Sequence, residues 1–142
     1  MKELERFLRA QEDMYHRALA ELREGEKRSH WIWYIFPQLQ GLGSSAMAQL
    51  YGIRDLAEAR AYLAHPVLGE RLITCCEALL VHKDKTAEEI LGAVDALKLR
   101  SSMTLFALVS EENSVFYKML EQFYEGQKDP ITLAGLGFSA KR

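Results

Sequence analysis

The sequence predicts an all-α fold, and three observations predict it. Apolar residues recur at the three- and four-residue spacings of a helical face along most of the chain. Capping signatures stand ahead of several of those runs: Asp55 with Glu58, Thr86 with Glu89, and Asp129 before Pro130. No segment alternates apolar and polar residues between turn signals, the pattern of paired strands. With 142 residues, enough for one core, the expectation is a single compact domain over residues 1–142. It should be built from six to seven short helices, with no internal repeat or linker.

The first helix carries Leu4, Phe7, Leu8, Gln11, Tyr15, Ala18, Leu19 and Leu22 on one face and charged residues on the other, with Gly25 as its terminating residue. A second, short helix is predicted from Ser29 as N-cap to the residue before Pro37, because proline cannot continue a helix and restricts Phe36. Gly41-Leu42-Gly43-Ser44-Ser45 reads as a loop, and Ala46–Tyr51 as a helical turn or two. Asp55 opens a helix that stops at His65-Pro66. Pro66 then suits the first turn of the next, whose buried face would be Leu68, Leu72, Cys75, Cys76 and Leu79. Thr86 caps a segment in which Ile90 and Leu91, then Val94, Leu97, Ser101, Thr104, Leu105 and Leu108, continue at helical spacing. Asn113 or Ser114 caps a helix carrying Phe116, Met119, Leu120 and Phe123, with Gly126 past its end. Asp129-Pro130 opens a last short helix.

Composition excludes several classes of function. At 49% hydrophobic and 27% charged residues the chain is ordinary globular material rather than a disordered segment. A formal net charge of -2 argues against an extended surface for nucleic acid or an anionic membrane, leaving only a local basic patch at Lys27-Arg28. The opening MKELERFLRAQED is too charged for a secretory signal, and no apolar stretch approaches the ~20 residues of a membrane span, so a cytoplasmic location is expected. Cys75 and Cys76 are neighbours without a CxxC, which reads as two buried thiols rather than a disulfide framework or a zinc site. His16, His30, His65 and His82 share no i, i+4 pair, so neither a metal nor a cofactor is expected.

Chemistry concentrates where Lys27, Arg28, Ser29 and His30 precede Trp31-Ile32-Trp33-Tyr34-Ile35-Phe36-Pro37-Gln38, a run holding both tryptophans. Small-molecule pockets mix aromatic surface with a few polar groups in this way. Lys27, at the entry to the predicted helix, would meet an anion together with free backbone N–H groups, and an indole of Trp31 or Trp33 would stack on its ring. The plainer reading leaves the two cations in water. His30 in a first turn would be disfavoured as a cation, which makes it the candidate general base or hydrogen-bonding ligand; a satisfied structural histidine is the alternative. The glycines and serines of 41–45 resemble an anion nest in composition but lack the ending of a P-loop and follow no strand, so a turn is the expected role. In the later helix Asp95 and Lys98 pair at i, i+3, while Ser101, Ser102 and Thr104 would either allow close helix packing or offer hydroxyls to a ligand.

Taken together, HWIWYIFPQ at 30–38, GLGSS at 41–45, HPVLGERL at 65–72, Asp95 with Lys98, and SSMTLF at 101–106 resemble the domain-of-unknown-function 1810 family. The spacing of Phe123, Gly126, Asp129, Thr132 and Leu133 fits as well, so the resemblance runs from Phe7 to Leu136. It implies a small, mainly helical cytoplasmic domain with no established activity. A weaker likeness, to the NADAR type of helical N-glycosidase acting on ADP-ribosylated guanine, rests on HPVLGERL ahead of SSMTLF and carries over no catalytic residues.

The expected function is binding, with hydrolysis as a further option, of a small anionic metabolite with a flat ring, such as a nucleotide or ADP-ribose derivative. Its pocket would be walled by residues 27–38 and 95–104. The expected ligand residues are Lys27, His30, Trp31, Trp33, Gln38, Lys98, Ser101, Ser102 and Thr104, with His30 the candidate for catalysis. The competing class is a non-catalytic interaction or structural domain whose aromatic stretch is simply core.

Overall fold

In the computed structural model, which describes residues 2–138, nine α-helices follow a 3-10 turn at Lys2–Leu4. Among the described residues there is no strand, only a single parallel bridge between Leu39 and Ile53. The all-α expectation holds, with more helices than six or seven because several are single turns and one predicted run is split.

Helix α1 (Glu5–Glu24) buries Phe7, Gln11, Tyr15, Ala18, Leu19 and Leu22, the stripe its spacing predicts, and adds Glu21 to it. Gly25 ends it in the left-handed region at φ 79°, its N–H donating to the carbonyls of Glu21 and Leu22. Helix α2 (Ile32–Ile35) is one turn and begins later than predicted. Ser29 does not cap it. Its hydroxyl donates instead to Glu21 Oε2 at 2.6 Å, and this grip on the backbone holds residues 28–31 out of helical geometry.

Ser45 caps α3 (Ala46–Leu50), accepting from Ala48 N–H at 3.1 Å. Asp55 caps α4 (Leu56–Ala64), but the reciprocal arm of the expected capping box goes elsewhere: Glu58 accepts from Arg54 N–H at 2.8 Å. The turn from α4 into α5 (Leu68–Leu80) places Pro66 just ahead of the helix, and His65 Nδ1 accepts from Val67 and Leu68 N–H. Only glycine fits at Gly69, where a Cβ would stand 2.0 Å from Leu63 O. Along α5, Leu68, Leu72, Cys75, Cys76 and Leu79 are buried as predicted. Burial pushes the Cys75 thiol up to about 12 and raises Cys76 as well.

The predicted box at Thr86 and Glu89 forms in full, with both bonds within 3.0 Å, and opens α6 (Ala87–Leu91). Gly92, at φ 90°, breaks the chain's helical path and α7 (Ala93–Ala107) restarts with a new phase. The expectation of one continuous buried stripe therefore fails at its start. Val94 and Leu97 are 65% and 66% exposed, while Ala96 and Leu99 take the inward positions. From Ser101 to Ala107 the helix is buried on every side. Helix α8 (Val115–Tyr124) buries Phe116, Met119 and Leu120 and ends through Glu125 and Gly126, both at positive φ. Asp129 caps α9 (Pro130–Gly135), with proline at its start.

Helix α7 is the axis of the core: α2, α4, α6, α8 and α9 pack on it, and α1 packs on α5 and α2. Phe7, Tyr62, Phe106 and Phe116 form a chain of rings with centroids 5.0, 5.4 and 5.7 Å apart. Among the described residues no helix is long and apolar enough to cross a membrane.

Candidate functional site

The predicted aromatic segment is organised around Glu21. Its carboxylate, 6% exposed, accepts from Arg28 N–H, Ser29 N–H, Ser29 Oγ and Trp31 Nε1 at 2.6–3.0 Å. Burial works to raise its pKa, but the four donors, with the Ser29 hydroxyl foremost, outweigh it and hold the group at about 2. Trp31 is fully buried and its one donor is satisfied. It is a core residue, with no face left for a ligand.

Lys27 differs from expectation as well. Its side chain is 7% exposed, its Nζ lies 2.8 Å from Asp95 Oδ2 and 4.9 Å from the centre of the Trp31 ring. Its backbone N–H donates to Ile90 O at 2.8 Å. The cation fastens the 25–31 loop to α7 and is already neutralised there. His30 is exposed on the rim of a shallow, open depression beside the α7 N-terminus, not in a first helical turn, so the dipole argument for a neutral imidazole lapses. Trp33 is half-buried. Lys98 Nζ stands 5.1 Å from its ring centre, and its Nε1 is enclosed with no hydrogen-bond partner among the described residues.

Three predicted residues, Gln38, Lys98 and Ser101, do meet, in a recess of about 270 Å³ between the chain at 38–43, the outer face of α7 and the start of α9. Gln38 is placed by a short backbone pairing between the chain at 38–40 and Ile53. Ile53 N–H donates to Gln38 O at 2.9 Å, and Gln40 N–H to Ile53 O at 2.7 Å. Gly52 permits that pairing, since a Cβ there would lie 2.6 Å from Gln40 Cα. Leu42 and Gly43 close one side, and Val94, Leu97 and Ile131, all at least 65% exposed, form an apolar rim.

The floor is an ordered polar cluster. Asp129 Oδ2 accepts from Ser101 Oγ at 2.7 Å and Thr132 Oγ1 at 2.6 Å, and Asp129 N–H donates to Thr104 Oγ1 at 2.8 Å. Burial raises the carboxyl's pKa, but these hydroxyls and the N–H groups of α9 lower it by more. Thr104 thus serves as a buried support beneath the floor. Ser102 is fully buried, its hydroxyl without a partner among the described residues, and it lines no part of the recess.

Charge around the recess is uneven. Lys98 lies 3.7 Å from Asp95, which is already taken by Lys27 at 2.8 Å. Arg100 is anchored by the carbonyls of Gln127 and Lys128, at 3.0 and 2.8 Å, rather than by an acid. Two cations, Lys98 and Arg100, therefore line the recess against one carboxylate, Asp129, in a chain whose formal net charge is -2.

Sequence reasoning missed Leu42, Val94, Leu97, Asp129 and Ile131 as site residues. Val94 and Leu97 were hidden by the phase break at Gly92, and Asp129 by its correct reading as a helix cap. Glu21 had one usable signal, an acid beside Leu22 on the buried stripe of α1.

The family model described as "Protein of unknown function (DUF1810)" matches residues 1–136, and the chain belongs to that family. Its fold closely matches the crystal structure of a conserved hypothetical protein from Mycobacterium tuberculosis. That protein is 47% identical with a TM-score of 0.93, over 96% of this chain and 98% of the other. No curated protein matches the sequence.

Proposed function

We propose that this member of the DUF1810 family binds a small anionic metabolite with a flat ring, such as a nucleotide or an ADP-ribose derivative, in the recess between 38–43, α7 and α9. The observation that supports it is the division of that recess. Apolar Val94, Leu97, Ile131 and Leu42 suit a ring, and Lys98 with Arg100 supplies the excess of positive charge an anion needs. A volume of about 270 Å³ admits one ring system and its substituents. Asp129 supports binding over hydrolysis, because a carboxylate already accepting from two hydroxyls and held at low pKa is a weak general base. A cytoplasmic setting belongs to the same reading, and the free, buried Cys75 and Cys76 are in keeping with it.

A thermal-shift screen against ring phosphates and ring carboxylates tests this. A ligand at 100 times its dissociation constant adds ~2.7 kcal/mol of stability. The shift should shrink in Lys98→Met and with added salt. Absence of any shift, or equal shifts in parent and variant, would set the reading aside.

One observation favours a second reading, a non-catalytic interaction surface: three large apolar side chains stand at least 65% exposed around one recess. Self-association seen by light scattering and lost in Leu97→Glu, with no response to ring anions, would establish that reading instead.

A further inference from the structure

Two glutamines are buried in this protein, and their fates differ. Gln11, 1% exposed, spends its amide fully. Nε2 donates to Tyr34 O at 2.7 Å and to Tyr62 Oη at 3.0 Å, while Oε1 accepts from Arg71 at 3.3 Å. Gln38 is 8% exposed, its backbone is pinned to Ile53, and its side-chain amide makes no hydrogen bond among the described residues. That amide lines the recess, with Nε2 3.7 Å from where a Cβ on Gly43 would sit, so the glycine leaves the space beside it open. Glu21, Glu58, Ser101, Thr104, Asp129 and Thr132 are all bonded, and Ser102, whose buried hydroxyl is not, lines no part of the recess. Gln38 is thus a side chain held almost wholly inside the fold whose amide makes no internal hydrogen bond and is left to the recess, where a ligand can pair with it.

We infer that Gln38 reads an amide-like edge of the ligand, so that the ring in this recess is a nucleobase or carboxamide heterocycle presenting a donor beside an acceptor. The inference rests on the binding role proposed above and narrows it. A primary amide offers a donor and an acceptor side by side in one plane. A phosphate or carboxylate could take only its N–H groups, and a plain hydrocarbon ring would satisfy neither half. An edge with one donor and one acceptor satisfies both at once, as glutamine does when it pairs bidentately with a base edge. The surroundings fit a flat ring delivered to that edge. Leu97, Val94 and Ile131 flank it with apolar surface, and Lys98 stands at the same wall to take an anionic substituent.

The test compares probes in calorimetric titrations of the full chain. Adenosine, guanosine, cytidine and uridine 5′-monophosphates and nicotinamide mononucleotide carry such an edge; phenyl phosphate has a ring and an anion without one. At least one edge-bearing probe should bind roughly ten- to a hundred-fold more tightly than phenyl phosphate, the worth of two neutral hydrogen bonds. Gln38→Met should erase that preference and leave phenyl phosphate as it was. Gln38→Glu, which keeps length and acceptor but loses the donor, should erase it too, and serves if the methionine variant does not fold. Equal affinity for all probes, unchanged in both variants, overturns the reading of Gln38 and leaves the anion site standing. No binding of any probe, phenyl phosphate included, overturns both.

Discussion

The segment around Glu21 and the recess beside α7 are neighbours in the fold and opposites in how they treat polar groups. In the first, four donors converge on one buried carboxylate, Trp31 is sealed in, and Lys27 is paired with Asp95. In the second, the side-chain amide of Gln38 has no partner among the described residues, Lys98 shares a carboxylate that is already taken, and Leu97 stands in solvent. The conspicuous residues build the scaffold, and inconspicuous ones line the place where something else can bind. A satisfied polar group fixes structure, whereas an unsatisfied one in a recess waits for a ligand.

That contrast can be broken from the scaffold side first. Trp31→Ala should cost about 3–5 kcal/mol in denaturant unfolding, since it empties a fully enclosed indole site and removes one of the four donors to Glu21. A smaller loss, about 2 kcal/mol, is expected for Glu21→Gln, which replaces a charged acceptor of four donors with an amide that can accept on one side only. Its pH signature is more specific. Because the folded pKa, about 2, lies below the ordinary 4.5, the unfolded chain takes up the proton more readily at low pH. The parent's stability should be fully expressed above about pH 4.5 and fall as pH drops toward 2, and the glutamine variant should show a flatter profile in that window. Equal profiles would mean the carboxylate is not the hub.

The two lysines sharpen the comparison further. Lys27→Met should cost about 1 kcal/mol, tempered because Lys98 can take up Asp95, and should leave ligand response per folded molecule intact. Lys98→Met should change stability by less than about 0.5 kcal/mol yet weaken anionic ligands. If the two effects were exchanged, scaffold and site would have been assigned the wrong way round. Smallest of all, Leu97→Ser should stay within about 0.5 kcal/mol of the parent in thermal melts while reducing ring binding.

Most of the fold was legible because its signals are local. The capping pairs at Thr86 and Asp129, the stripe from Phe7 to Leu22, and Gly25 each act within a few residues of themselves. The site was only partly legible. Gln38, Lys98 and Ser101 were found through their company in the sequence, but Lys27 and Trp31 were found for the same reason and proved structural. Nothing local distinguishes the two outcomes: what decides is whether a partner arrives from afar, as Glu21 does for Trp31 and Asp95 for Lys27. The exposure of Val94 and Leu97 was hidden because one glycine at positive φ resets helical phase, and periodicity alone carries the old phase through.

Cys75 and Cys76 have a practical side. Each sits in the centre of α5 with at most 1% of its surface exposed, and burial keeps the Cys75 thiol from ionising until about pH 12. A thiol-modifying reagent needs the thiolate and a path to it, so the native chain at neutral pH offers neither. Modification therefore proceeds only when α5 lifts away from α1 and α8. The rate of labelling, followed at fixed reagent, is a clock for that opening, built into the chain without any added probe.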